Sequence, residues 1–174
     1  PDRDVREAAQ NFSVASTAAN ALMLAEQLME KKAYAEAAEL LEHSMRGIHA
    51  TDPELMLALA RARFGMRDYP ACLNSLDDLK HHNPQSTTAD GHLLYARALE
   101  KAGKINEARA EYEALVGYYP GPEPACRLAR LLAAGGDVAG SKALYQNVLE
   151  TSRVSGRHYH QLHKRWIQMA RDQA

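Results

Sequence analysis

A motif that returns every 33 to 36 residues constrains this chain more than any other feature of its sequence. Each copy has a short turn ending in an apolar residue, a small residue three positions later and a large apolar or aromatic residue four beyond that. The copies are Lys32-Ala33-Tyr34 with Ala37 and Leu41, Arg67-Asp68-Tyr69 with Cys72 and Leu76, Gly103-Lys104-Ile105 with Ala108 and Tyr112, and Gly136-Asp137-Val138 with Ser141 and Tyr145. The anchors at 34, 69, 105 and 138 are separated by 35, 36 and 33 residues. A period of this length marks helix-turn-helix units that cannot bury an apolar face alone and must stack to do so.

The spacing has a packing reason. Positions i, i+3 and i+7 share one helical face, so each second helix offers large, small and large side chains in turn, and the small one permits close approach. Each first helix carries its own stripe, as in Leu55, Leu59, Ala62 and Phe64, or Leu94, Ala98 and Leu99. Prolines 53, 84, 120, 122 and 124 fall between units, where they start helices without interrupting them. Asp52 before Pro53 reads as an N-cap followed by proline at the first helical position.

These signals predict an all-α chain with four hairpins over residues 18–51, 53–86, 89–120 and 122–153. Residues 1–17 form a leading helix, and the absence of a strong breaker from Ser13 to Ala21 allows it to run on into the first hairpin. Residues 154–174 form a capping segment, with one helix from about 156 to 172 that packs through Tyr159, Leu162, Trp166, Ile167 and Met169.

Composition matters mainly for what it excludes. Hydrophobic residues at 46% and charged residues at 25% describe a folded protein, and a net charge of −1 provides no global field for nucleic acid or an anionic membrane. Cys72 and Cys126 belong to no metal-ligand spacing and read as buried thiols in a reducing compartment. No apolar run approaches the ~20 residues needed to span a bilayer.

The motif resembles the tetratricopeptide repeat family across residues 18–153, most clearly from Gly103-Lys104-Ile105-Asn106-Glu107-Ala108 through Tyr112 and Pro120. The family's frequent tryptophan and glycine in the first helix are replaced by Met56 and Ala60 in the second unit and by His92 and Ala96 in the third. Asp52 through Phe64, His92 through Leu99 and Tyr112 through Glu123 are further similar to a divergent, uncharacterised bacterial subgroup. The resemblance implies a right-handed superhelical stack acting as a scaffold for protein complexes. In that subgroup a short membrane-embedded segment often precedes the repeats, so a cytoplasmic protein, tethered if such a segment lies upstream of Pro1, is the expectation.

In this family the first helices line the inner, concave wall. Aligning the units on their turns puts Leu22, Leu57, Leu93 and Cys126 at one inward position, with Glu26, Arg61, Arg97 and Arg130 four residues later. The expected binding face is therefore Leu57, Arg61, Leu93, Arg97, Cys126 and Arg130, a ladder of planar cations over apolar residues that suits an acidic, partly apolar peptide or partner helix. The competing reading neutralises the arginines with Glu54, Asp90 and Glu123, seven residues earlier on the same face.

The remaining polar features read as structural. His158, His160 and His163 lack a carboxylate or cysteine to complete a metal site and read as a solvated face. The basic run Arg153, Arg157, Lys164, Arg165 and Arg171 reads as the wet side of a cap. Gly135-Gly136 is a helix-ending turn with no Lys-Ser or Lys-Thr after it, and no other catalytic motif is present. No cofactor, metal, nucleic acid or membrane contact by this segment is expected, and no enzymatic activity. The alternative to a peptide-binding scaffold is a self-assembly module without a peptide ligand.

Overall fold

The computed structural model describes residues 3–174, and all regular structure among them is helical. The helices are α1 Arg3–Val14, α2 Ala18–Glu30, α3 Tyr34–Ser44, α4 Pro53–Gly65, α5 Tyr69–His82, α6 Ala89–Lys101, α7 Ile105–Val116, α8 Glu123–Ala134, α9 Val138–Val154, α10 Arg157–Leu162 and α11 Lys164–Gln173, with one 3-10 turn at Gly47–His49. They form two compact units, Pro1–Ala102 with α1 to α6 and Gly103–Ala174 with α7 to α11.

Within the first unit every helix packs on the next, and the first helices also touch one another: α2 lies along α4, and α4 along α6. Its core joins Ala21, Ala25, Ala37, Leu41, Leu55, Leu59 and Ala62, with Phe12 of α1 against it. Within the second unit α7 packs on α8, α8 on α9, and α11 on α9 and the flank of α8. Cys126, Ala129, Tyr145, Val148, Trp166 and Ala170 form a core cluster there.

The turns explain the repeat. Lys32, Arg67, Gly103 and Gly136, each two residues before its anchor, take φ of 62°, 64°, 80° and 92°. This left-handed residue lets the N–H groups of Ala33, Asp68 and Asp137 reach back to the carbonyls of Leu28, Arg63 and Leu132 at 2.9, 3.0 and 2.9 Å, satisfying helix-end acceptors. Lysine and arginine hold this conformation at a cost of about 1–2 kcal/mol that glycine avoids. The next helices start on caps: Asp68 Oδ1 accepts from Ala71 N at 3.1 Å and Asp137 Oδ1 from Gly140 N at 2.8 Å. Asp52 caps Pro53–Gly65 as its sequence suggests, accepting from Glu54 N and Leu55 N at 3.0 and 3.1 Å.

The small and large positions of the motif lie in the core. Ala37, Cys72, Ala108 and Ser141 are buried, as are Leu41, Leu76, Tyr112 and Tyr145. Ala108 has no exposed surface, whereas Ala110 of the same helix faces solvent. Ala108→Leu should therefore destabilise by about 1–3 kcal/mol through overpacking, and Ala110→Leu should change little. Chemical denaturation of both variants checks this, and equal losses would contradict the register.

Two sequence expectations need correction. The leading helix does not continue into α2: Thr17 leaves helical geometry at ψ 158° and its hydroxyl accepts from Asn20 N, while Asn20 Nδ2 donates to Ala15 O at 2.8 Å. Two side-chain hydrogen bonds thus make the break without proline or glycine. The terminal helix is likewise two helices, because His163 departs to φ −109° and ψ 18° between α10 and α11.

Candidate functional site

The residues of the expected wall have unequal access to solvent. On α4, Leu57 is half-buried and Arg61 exposed; on α6, Leu93 is buried and Arg97 half-buried. A Cβ at Gly91 would stand 3.6 Å from Leu57 Cδ1, so the Leu57 side chain reaches the start of α6. The guanidinium carbon of Arg97 lies 4.7 Å from the centre of the Phe64 ring, which aligns that cation with α4 by a cation–π contact. Glu26, at the equivalent position of α2, is exposed.

Cys126 and Arg130 belong to the second unit. Cys126 has no exposed surface, and its thiol donates to the Trp166 carbonyl at 3.6 Å, beneath α11. It offers no contact area to a ligand while α11 is seated. Burial pushes its pKa, and that of Cys72, up to about 12, so both thiols stay protonated. Arg130 is exposed on α8. Glu123, the acid its sequence position offers Arg130, forms an ion pair with Arg127 at 2.8 Å, the two side chains being 21% and 11% exposed.

Sequence reasoning missed two arginine networks that are structural. Arg63 donates to Ser75 Oγ at 2.6 Å and Glu42 Oε1 at 2.9 Å, joining α4 to α5 and α3. Arg127 and Arg165 each lie 5.1 Å from the centre of the Trp166 ring, so the buried indole carries cations from α8 and from its own helix. The adjacency of Arg165 and Trp166 was legible, but the contact from α8 required the fold.

Of the three histidines, His158 is exposed as a solvated face requires, but His160 and His163 are half-buried and engaged. His160 Nε2 is 2.7 Å from the Ser152 carbonyl, and the His163 ring packs edge-on to Tyr159 at 4.5 Å and covers Gly121 so closely that a Cβ there would collide. Burial lowers the His163 pKa, against the opposing pull of Glu123. No cluster of three or more potential metal ligands exists among the described residues, and no described helix is long and apolar enough to cross a membrane.

Two tetratricopeptide repeat models match the sequence, over residues 28–98 and 90–122. No curated protein matches it significantly. Among solved structures, TTC0263, described as a thermophilic TPR protein of Thermus thermophilus, aligns at 17% identity over 95% of this chain and 88% of its own, with TM-score 0.71. MamA aligns at 17% identity over 86% of each chain, also at 0.71. YrrB, described as a TPR protein with an unusual peptide-binding site, aligns at 15% identity over 84% of this chain and 75% of its own, with TM-score 0.64.

Proposed function

Because the chain belongs to the tetratricopeptide repeat family, whose hairpins serve as protein-interaction scaffolds, we propose that the first-helix wall of its first unit binds an acidic, partly apolar peptide. The observation that carries this reading is the side-by-side packing of α2, α4 and α6, with exposed Arg61 on α4 and Arg97 held over Phe64 between α4 and α6. An acidic side chain meeting either guanidinium gains a charge-assisted, bidentate-capable hydrogen bond, and Leu57 adds apolar area beside it. The reading assigns no catalytic role. Leu93 contributes by shaping the wall from beneath, while Cys126 and Arg130 belong to the second unit, where Cys126 is buried and Arg130 presents the same chemistry. YrrB gives a precedent for peptide binding on a fold of this kind.

The test is selection from a fluorescein-labelled peptide library that varies acidic, basic and apolar positions, read by anisotropy. Selected peptides should be acidic and amphipathic, and affinity should fall about tenfold or more between roughly 50 and 300 mM salt as screening shortens the reach of the arginines. Selection of basic or uncharged peptides, or binding indifferent to salt, contradicts the reading.

A further inference from the structure

The exposed side of the terminal helices bears a charge that the peptide-binding wall does not use. We propose that the end of α9 together with α10 and α11 docks this chain on an anionic bilayer surface, with Arg153, Arg157, Lys164 and Arg171 against the lipid headgroups and Leu162 and Val154 entering the interface. Sequence alone predicted no membrane contact, because a basic run is ordinarily the solvated side of a cap. Three structural observations favour a ligand.

First, no carboxylate among the described residues forms an ion pair with Arg153, Arg157, Lys164, Arg165 or Arg171. Asp172, the one acid in residues 151–174, accepts from Gln168 Nε2 at 2.8 Å, and Glu150, one turn before Arg153, is exposed. Second, the patch is presented by a fixed element. Trp166, Ile167 and Ala170 hold α11 in the core of the second unit, which leaves Lys164, Arg165, Gln168 and Arg171 exposed. Third, apolar side chains close in sequence to the cations are exposed: Leu162 is 67% exposed at the end of α10, two residues before Lys164, and Val154 is 88% exposed at the end of α9, next to Arg153.

The third observation selects the occupant. A phosphate backbone attracts cations but offers an exposed leucine and valine nothing, and the aromatic ring suited to stacking a base, Trp166, is buried. The boundary between headgroups and acyl chains accepts both, drawing Lys and Arg to anionic lipid while apolar tips leave water. Binding of this kind is reversible and salt-sensitive, far short of an anchor.

Co-sedimentation of the full chain with vesicles tests the proposal, using phosphatidylcholine alone and phosphatidylcholine with about 30% phosphatidylserine. Only the anionic vesicles should bind, and R157Q/K164Q/R171Q should weaken that binding by about 100-fold, each cation contributing about fivefold. Leu162→Ser should also weaken it. These side chains are exposed, so thermal melts should match the parent chain, and Val154→Ser replaces Leu162→Ser if the latter loses its fold. Failure to bind anionic vesicles overturns the proposal. So does tighter binding to a short duplex DNA that Leu162→Ser leaves unchanged, which would make the patch a nucleic-acid contact. Vesicle binding does not involve Arg61 or Arg97, so its failure is distinguishable from failure of the peptide-binding reading.

Discussion

Trp166→Ala should destabilise the second unit by about 3–5 kcal/mol, the largest effect expected of any single substitution considered. The indole is 9% exposed and shares a core cluster with Cys126, Ala129, Tyr145, Val148 and Ala170. Its removal opens a cavity and deprives Arg127, whose side chain is 11% exposed, of an aromatic face, leaving the Glu123 ion pair less well packed. Deleting residues 156–174 goes further, because it uncovers the side of α8 and α9 on which α11 sits. The truncated chain should unfold less cooperatively and aggregate on heating. Circular dichroism with light scattering during a melt checks both variants. A truncation that stays soluble and melts like the parent would show α10 and α11 to be an appendage.

The helical hairpins were legible because their packing repeats. A buried small residue three positions after each anchor and a buried large one four beyond that are spatial requirements, and they leave the same residue types at the same spacing in every unit. The anchors themselves were less uniform. Tyr34 and Tyr69 are half-buried, while Ile105 and Val138 are 41% and 55% exposed, so the anchor marks the turn more reliably than it marks the core. Tyr34 also explains Gly65, whose absent side chain gives the tyrosine ring its place against the end of α4. No periodicity reveals that pairing, since it joins residues of different hairpins.

Helix ends made by side-chain hydrogen bonds were harder to read. Asp52 before Pro53 combines two familiar start signals, whereas Thr17 and Asn20 separate α1 from α2 with polar groups that also occur inside helices. His163 divides α10 from α11 where its ring lodges over Gly121, a contact between residues 42 apart in the chain. The same limit applies to the arginines. Sequence register groups Arg61, Arg97 and Arg130, but nothing in it marks Arg63 as tied to Ser75 and Glu42 or Arg127 as tied to Glu123. Likewise Cys126 aligns with Leu57 and Leu93, yet it lies under the terminal helix, which the repeat pattern does not describe.

Replacing Arg61 and Arg97 together with glutamine should cost more than about 2 kcal/mol of peptide affinity while sparing the fold. Arg61 is exposed, and Arg97, half-buried, makes a cation–π contact with Phe64 worth about 0.5–2 kcal/mol. The most direct measurement is calorimetric titration of the library-selected acidic peptide into the parent chain and into R61Q/R97Q, with thermal melts of both. The account predicts an affinity at least about 30-fold weaker for the variant and a melting temperature lower by no more than a few degrees. Unchanged affinity, or a variant that unfolds, would contradict it, placing the binding surface elsewhere and making the arginines part of the scaffold.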